Sequence, residues 1–388
     1  MTTDLAAARP HMAVLSEALA QAGAIRTKPW AAAFAALPRH LFVPRWYEQE
    51  TDARGIAVWR ERHSGDADAL AAAYRDVTLV TALDPDTAQQ VDATAWTGVA
   101  TSSSTQPSLM AGMLEDLVVE DGHRVLEIGT GTGYNAALLS HRLGGHLVHS
   151  VDVDPALTSA AQEHLAAAGY APQLVPGDGL LGYPTGGPFD RIIATCSVPA
   201  VPDAWVRQLR PGGVLVADLA LGIKGGIVRL TRRGDEVRGL FTENAGRFMP
   251  ARAQAATYPA PVRSERAPTA GTRPTRLTAA EIRSEYPLRL VLSFNLPDTK
   301  LVYHRDDNDA LSLQLQDGGG SWARVPLAGD TATVTFGGST DLWKRAEDAH
   351  TWWCEAGQPD QSRFGYAVTA GGAYAWYLPD DTMWTLSD

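Results

Sequence analysis

The residues best suited to chemistry lie between Glu127 and Gly179. In "VLEIGTGTGY" (Val125–Tyr134), Gly129, Gly131 and Gly133 form a spaced turn between an apolar run and a helix-like one. A G-x-G-x-G turn admits a ligand close to backbone, and the helix start behind it offers N–H donors. The dinucleotide pattern G-x-G-x-x-G is one residue longer and serves a pyrophosphate. Glu127 would stand beside those phosphates, where a second anion is unfavourable. A cationic small molecule fits the loop better. Asp152 closes the next apolar run, about twenty residues further on, where a carboxylate holds ribose hydroxyls. Asp178, in "GDG" (Gly177–Gly179), follows the third run. Glu127 near an amino group, Asp152 on ribose and Asp178 near adenine together suit S-adenosylmethionine. The alternative makes each glycine a plain turn and each aspartate a cap; three motifs in this order favour the ligand.

A second candidate is the hydroxyl-rich "TSSSTQP" (Thr101–Pro107), read as a loop feeding a helix over Ser108–Leu117. Its plain alternative is a flexible turn. The elements that position these residues alternate as βαβ units. Strands are expected over Arg124–Gly129, His146–Val153, Gln173–Gly179, Phe189–Cys196 and Gly212–Ala220, with helices over Tyr134–Leu143 and Pro155–Gly169. Apolar runs separated by helices imply an α/β fold, Rossmann-like, with a mostly parallel doubly wound sheet. Ahead of it, Asp4–Tyr47 reads as helical and is broken at Pro38 and Pro44; a polar stretch follows to about Tyr74.

The chain has 388 residues, of which 45% are hydrophobic and 20% charged. That length suits two domains of roughly 100–200 residues each. The reading assigns 1–95 to an N-terminal helical part, 96–252 to the cofactor-binding core and 253–280 to a linker. It assigns 281–388 to a C-terminal α+β domain with strands in "LRLVLSFNL", "LSLQLQ" and "TATVTF", and a helix over Asp341–Ala356. Net charge is 33 − 44 = −11, which argues against nucleic acid or an anionic membrane as the main partner. Two cysteines, Cys196 and Cys354, exclude a disulfide framework, and the histidines show no metal-ligand spacing. No apolar run reaches the ~18–20 residues of a membrane span, and Met1–Pro10 lacks a secretory layout. A cytoplasmic protein without a catalytic metal is expected.

The motifs "VLEIGTGTGYNAALL", "SVDVDPAL", "GDGLLGYPTGGPFDRIIAT" and "LRPGGVLV" resemble those of the protein L-isoaspartyl/D-aspartyl O-methyltransferase family. The resemblance runs from about Phe34 to Arg252, with "FVPRWY", "YRDV" and "RFMPAR" as further landmarks. It implies a methyltransferase using S-adenosyl-L-methionine and releasing S-adenosyl-L-homocysteine. The implied cofactor residues are Glu127, Gly129, Gly131, Asp152, Asp178 and Gly179; Thr130, Gly133 and Val153 complete the candidate set. In the family the loop before the first long helix reads Thr-Ile-Ser-x-Pro, with a catalytic serine. Here Thr105 stands at the serine's place, two residues before Pro107, with Ser103 and Ser104 at the threonine and isoleucine. Thr105, Ser104 and Ser103 are the catalytic candidates; Ser102 and Arg252 are substrate candidates.

Methyl transfer to a carboxylate needs no general base, because aspartate, with a pKa of about 3.9, is already ionised. The protein must align oxygen, methyl carbon and sulfur and exclude water. The resulting methyl ester carries a better leaving group than a free carboxylate, so the next backbone nitrogen can attack its carbonyl, expel methanol and close a succinimide ring. The family acts on isoaspartate. A related group, accompanying ribosomally made peptides, carries a C-terminal extension and methylates ordinary aspartate towards aspartimide. Thr105 and the added domain favour that second group, so the expected substrate is a modified precursor peptide. Isoaspartate repair is the alternative, and a non-catalytic cofactor-binding partner protein is a second one. From Lys224 to Arg289 there are 13 Lys/Arg against 6 Asp/Glu. This basic strip either favours an acidic peptide or is a solvated linker surface. Six tryptophans from Trp322 onward form either an aromatic surface or core. The oligomeric state is left open.

Overall fold

The computed structural model describes residues 5–51, 57–253, 267–306, 310–327, 333–380 and 382–387. The chain divides into two compact units. Unit 1 comprises Met1–Cys196, Pro202–Ala217 and Phe248–Pro259; unit 2 comprises Ser197–Val201, Asp218–Arg247 and Ala260–Asp388.

Unit 1 begins with α1 (Leu5–Gln21), whose Ala8, Met12, Leu15 and Leu19 recur at helical spacing and are buried, and α2 (Lys28–Ala36). The polar stretch that follows is not irregular. It folds as β1 (Arg45–Thr51) and β2 (Ala57–His63), then α3 (Ala69–Ala73), β3 (Leu79–Leu83), β4 (Gln89–Gln90), β5 (Ala95–Thr97) and β6 (Ala100–Ser104). These strands form an antiparallel sheet in the order β4-β5-β2-β1-β3-β6. The N-terminal part is therefore not wholly helical, and Tyr47 lies in a strand. Charge hid this hairpin: Glu48 faces Arg60 in register, and ion pairs join Arg60 to Glu50 (3.2 Å) and Arg62 to Glu48 (3.7 Å). Paired charges on a solvent face break up the apolar alternation that normally marks a strand. The "TSSS" segment is likewise strand rather than loop, with Leu79 opposite Ser104 and Val80 opposite Ser103. Helix α4 (Pro107–Asp116) follows, with Pro107 in its first turn.

The remainder of unit 1 follows the expected alternation. Strand β7 (Val125–Ile128), α5 (Tyr134–Leu143), β8 (Val148–Asp152), α6 (Pro155–Ala167), β9 (Gln173–Pro176), β10 (Phe189–Val198), α7 (Asp203–Gln208) and β11 (Leu209–Leu219) succeed one another. The order is β11-β10-β7-β8-β9, and β10, β7, β8 and β9 run parallel. Every residue of β7 and β8 is buried, as in parallel strands covered on both faces. The Asp154 side chain caps α6, accepting from the Ala156 N–H at 2.9 Å.

Unit 2 includes β12 (Gly226–Arg233) and β13 (Glu236–Phe241), which sequence reading had assigned to the core. Then come β14 (Thr269–Pro274), α8 (Ala279–Ser284), α9 (Tyr286–Asn295), β15 (Thr299–Arg305), β16 (Leu311–Asp317), β17 (Trp322–Pro326), β18 (Thr333–Gly337), α10 (Asp341–Glu355), β19 (Phe364–Thr369), β20 (Gly372–Tyr377) and β21 (Met383–Ser387). One antiparallel set runs β12-β13-β19-β20-β21 and a second runs β14-β18-β17-β16-β15. Within the expected linker, 254–266 lie outside the described residues and Thr269–Pro274 is a strand. "LRLVLSFNL" is helix α9, not a strand. Its Leu288, Leu290, Val291, Leu292 and Phe294 are all buried, and a segment buried nearly all round matches both periods. Trp322, Trp343, Trp353 and Trp376 are buried, which makes these tryptophans core rather than a binding surface. Among the described residues no helix is long and apolar enough to cross a membrane.

Candidate active site

The candidate cofactor residues gather at one edge of the parallel strands of unit 1. The glycine loop leaves β7, Asp152 ends β8, and Asp178 follows β9 by two residues. This is the crevice outside the carboxyl ends of strands where α/β sheets bind ligands. Gly129, Gly131 and Gly133 have φ of +98°, +51° and +84°, a region that disfavours side chains. A Cβ on Gly129 would lie 2.6 Å from Thr195 Oγ1, so this glycine is also required by packing. A Cβ on Gly131 would lie 3.7 Å from the Ser103 carbonyl oxygen and 4.0 Å from Ser102 Oγ. The glycine loop and the hydroxyl-rich strand β6 therefore face each other.

Asp152 is bonded to the loop it serves. Its Oδ2 accepts from the Gly131 N–H at 2.8 Å and its Oδ1 from the Asp154 N–H at 3.0 Å. Burial raises its carboxyl above the ordinary range, while these two N–H groups and the charge of Arg252 pull it back. Arg252 thus stands within electrostatic reach of Asp152, on the cofactor side of the site. Val153, half-buried, follows directly. Asp178 accepts from the Leu180 N–H at 2.9 Å and so caps a short turn. Gly179 packs tightly: a Cβ there would meet Ile128 Cγ2 at 2.6 Å, and its carbonyl accepts from Trp205 Nε1 at 2.8 Å.

Both carboxylate oxygens of Glu127, expected beside an amino group, have protein donors. The residue is fully buried, its Oε1 accepting from Asn135 Nδ2 (2.7 Å) and its Oε2 from Ser150 Oγ (2.5 Å). Register dictates the second bond, since Glu127 and Ser150 are partners on β7 and β8. Thr130 Oγ1 lies 2.7 Å from Ser150 Oγ and extends the network into the loop. Desolvation pushes the Glu127 carboxyl up to about 7, against the pull of its two hydrogen bonds. Glu127 braces the glycine loop from beneath.

On β6, alternation separates the hydroxyls. Ser102 and Ser104 are buried, whereas Ser103 and Thr105 are half-buried. Ser102 Oγ accepts from Thr81 Oγ1 at 3.1 Å, and Ser104 Oγ accepts from Arg39 Nε at 3.3 Å. Among the described residues the hydroxyls of Ser103 and Thr105 engage no protein group, which leaves them available to a ligand.

Arg39 is the residue sequence reading missed. It is fully buried and donates to the carbonyls of Ala73 and Arg75 (both 3.0 Å), Val77 (3.0 Å), Ser104 (3.3 Å) and Thr105 (3.1 Å). Burial pulls its guanidinium down to about 10, still charged at neutral pH. Its only signal was an arginine inside the otherwise apolar "ALPRHLFVP". From the same phrase, Phe42 packs against Tyr134 and His164, with ring centroids 5.5 and 6.1 Å away. His164 in turn reaches the Thr132 carbonyl at 3.2 Å.

Residues 63–256 match the family described as Protein-L-isoaspartate(D-aspartate) O-methyltransferase (PCMT). The chain belongs to this family. Among its relatives, the protein-L-isoaspartate O-methyltransferase of Methylorubrum populi is 44% identical over 133 residues, 34% of this chain and 61% of the relative. That of Methylorubrum extorquens is 38% identical over 192 residues, 49% of this chain and 79% of the relative. The chain thus spans about three-fifths of the first relative's length and more of the second's. A solved structure titled protein-L-isoaspartate O-methyltransferase aligns with a TM-score of 0.52 and 20% identity, over 93% of this chain and 97% of that one. At that identity the likeness concerns the fold, and it extends beyond the residues that carry the family match.

Proposed function

We propose that the protein is an S-adenosylmethionine-dependent carboxyl O-methyltransferase acting on isoaspartyl residues of peptides or proteins in the cytoplasm. The supporting observation is the apposition of β6, with its two unengaged hydroxyls, to the glycine loop at Gly131. When bound, S-adenosylmethionine supplies an electrophilic methyl group and departs as neutral S-adenosyl-L-homocysteine. Asp152 holds the ribose, the loop Gly129–Gly133 with Thr130 admits the cofactor to backbone, and Asp178 and Gly179 border the adenine. Thr105, aided by Ser103, donates to the non-attacking carboxylate oxygen and keeps the other in line. No group of the chain has to move a proton, because the acceptor is already ionised. Unit 1, which holds β6 and the glycine loop, carries this chemistry, and unit 2 selects the peptide.

Thr105→Ala should lower transfer of labelled methyl to an isoaspartyl peptide at least tenfold while calorimetric affinity for S-adenosylmethionine stays within twofold. Equal turnover in the variant would remove Thr105 from the mechanism. Absence of binding to either cofactor form would sink the enzyme reading and the cofactor-binding-partner reading together.

A second reading has a specific observation behind it. Thr105 stands where the resemblance puts the family's serine, and two further hydroxyls, Ser103 and Ser104, precede it. Both suit an ordinary aspartate in a ribosomally made, modified precursor peptide, esterified on the way to aspartimide. Mass gain of one methyl and then loss of methanol from an L-aspartyl peptide supports this reading; turnover of isoaspartyl peptides alone removes it.

A further inference from the structure

The basic strip between Lys224 and Arg289 is not uniform: two of its cations meet one ring in unit 2, and a third lies within electrostatic reach. Lys224 Nζ lies 4.6 Å from the centroid of Tyr286, and Arg289 Cζ lies 5.8 Å from it. Arg247 is exposed and within electrostatic reach of both Lys224 and Tyr286. Their placement is built by the backbone. The Lys224 N–H donates to Ser293 Oγ at 2.8 Å, and that hydroxyl returns its proton to the Lys224 carbonyl at 2.6 Å. Tyr286 Oη donates to the Gly225 carbonyl at 2.8 Å, and a Cβ on Gly225 would run into the Leu219 carbonyl. The short segment carrying Lys224 is thus clamped onto α9, one turn from Arg289. Arg289 is itself anchored by an Nη1 bond to the Ile282 carbonyl at 2.9 Å.

Among the described residues neither Lys224, Arg247 nor Arg289 forms an ion pair with a carboxylate. Asp218 and Glu285 act on the cluster only at longer range. Elsewhere the protein pairs its arginines readily, as in Arg210–Asp190 at 2.8 Å and Arg273–Glu347 at 2.7 Å. Lys224 and Arg289, both half-buried and with no carboxylate at ion-pair distance among the described residues, repel each other and cost stability. An aromatic ring offsets only part of that cost. Tyr286 and Arg289 also lie beyond residues 63–256, outside the family match.

We propose that Lys224 and Arg289, which stand over Tyr286, form with the nearby exposed Arg247 a binding site for the carboxylates of an acidic peptide segment that accompanies the methyl acceptor. This rests on the methyltransferase reading for the identity of the ligand, but not for the existence of the site. A chain of net charge −11 repels acidic peptides overall, so binding reports a local feature. The ammonium and two guanidinium groups satisfy carboxylates flanking the acceptor, and the clamped backbone lowers the ordering needed on binding.

The test uses the full chain and two fluorescein-labelled probes, hexa-aspartate and hexa-asparagine, read by anisotropy at low salt. Hexa-aspartate should bind at least tenfold more tightly. Arg247→Gln, at an exposed position, and Lys224→Met should each weaken it about tenfold, with melting temperature and S-adenosylmethionine affinity unchanged. The remote control Lys300→Met should have no effect. Equal binding of the two probes, or unchanged binding in both variants, overturns the site. Displacement of hexa-aspartate by low-millimolar inorganic phosphate would overturn it as a peptide site and reassign it to a phosphate. Probe binding without cofactor binding would leave the site standing and fell the methyltransferase reading.

Discussion

Replacing Arg39 tests whether the hydroxyl strand is held by a single side chain. Its five N–H groups serve five carbonyls and Ser104 Oγ, tying the segment 73–77 to the end of β6. Arg39→Met preserves much of the stem volume and removes every donor. An acceptor left buried without a partner costs about 1–3 kcal/mol. Against this, the variant recovers the desolvation cost that pulls Arg39 down to about 10. Carbonyls near exposed Arg75 and Val77 regain water, whereas those of Ala73, Ser104 and Thr105 do not. A net loss of about 3–5 kcal/mol follows, a fall in the Tm of unit 1 on the order of 10 °C. Arg39→Lys, with three N–H groups, should lose about half as much. The positioning role has its own readout. In Arg39→Lys, kcat for methyl transfer should fall about tenfold below 20 °C, where the variant is folded, while KM for S-adenosylmethionine changes little. Calorimetry with parallel kinetics on an isoaspartyl peptide checks both halves. Full kcat in Arg39→Lys would show that Thr105 does not depend on this staple. Loss of less than 1 kcal/mol in Arg39→Met would refute the hydrogen-bond accounting.

Glu127, raised to about 7 by burial, holds a proton in the folded chain that the unfolded chain releases near its ordinary 4.5. Stability therefore falls as pH rises from about 4.5 to 7, and Glu127→Gln should flatten that slope and gain on the order of 3 kcal/mol at pH 8; urea titrations at both pH values read it, and an unchanged slope counts against it. Gly129→Ala meets Thr195 Oγ1 at 2.6 Å as well as positive φ, so it should lower Tm sharply, whereas Gly131→Ala, strained only by its φ of +51° and with no contact under 3.7 Å, should lower Tm much less yet lose cofactor affinity. Equal melting of the two would contradict the packing argument. Asp152→Asn should weaken S-adenosylmethionine at least tenfold by calorimetry, since the ribose loses a charge-assisted acceptor; retained affinity would place the ribose elsewhere.

Much of this site was legible in the residues, because its parts are local. Glycine spacing, an acid at a strand end and "GDG" each follow from backbone geometry within a few positions, and fully buried parallel strands read as plain apolar runs. The order of βαβ elements followed, with boundaries displaced by a few residues. The N-terminal hairpin was illegible because paired charges replaced the apolar alternation, and α9 was misread because burial on nearly all sides erases the difference between periods.

The sequence by itself determined the family, the Rossmann-like alternation and which residues gather at one edge of the parallel strands. Only the tertiary structure decided what each of them touches there. It turned Glu127 inward to Asn135 and Ser150, brought Arg39 across about 65 positions to β6, and set Ser103 opposite Gly131. It also drew Lys224 and Arg289 out of a diffuse basic stretch and onto one tyrosine. The physical reason is common to all four. Hydrogen bonds and charge interactions act over a few ångströms in space, and only strand register and helix packing determine which distant residues come that close.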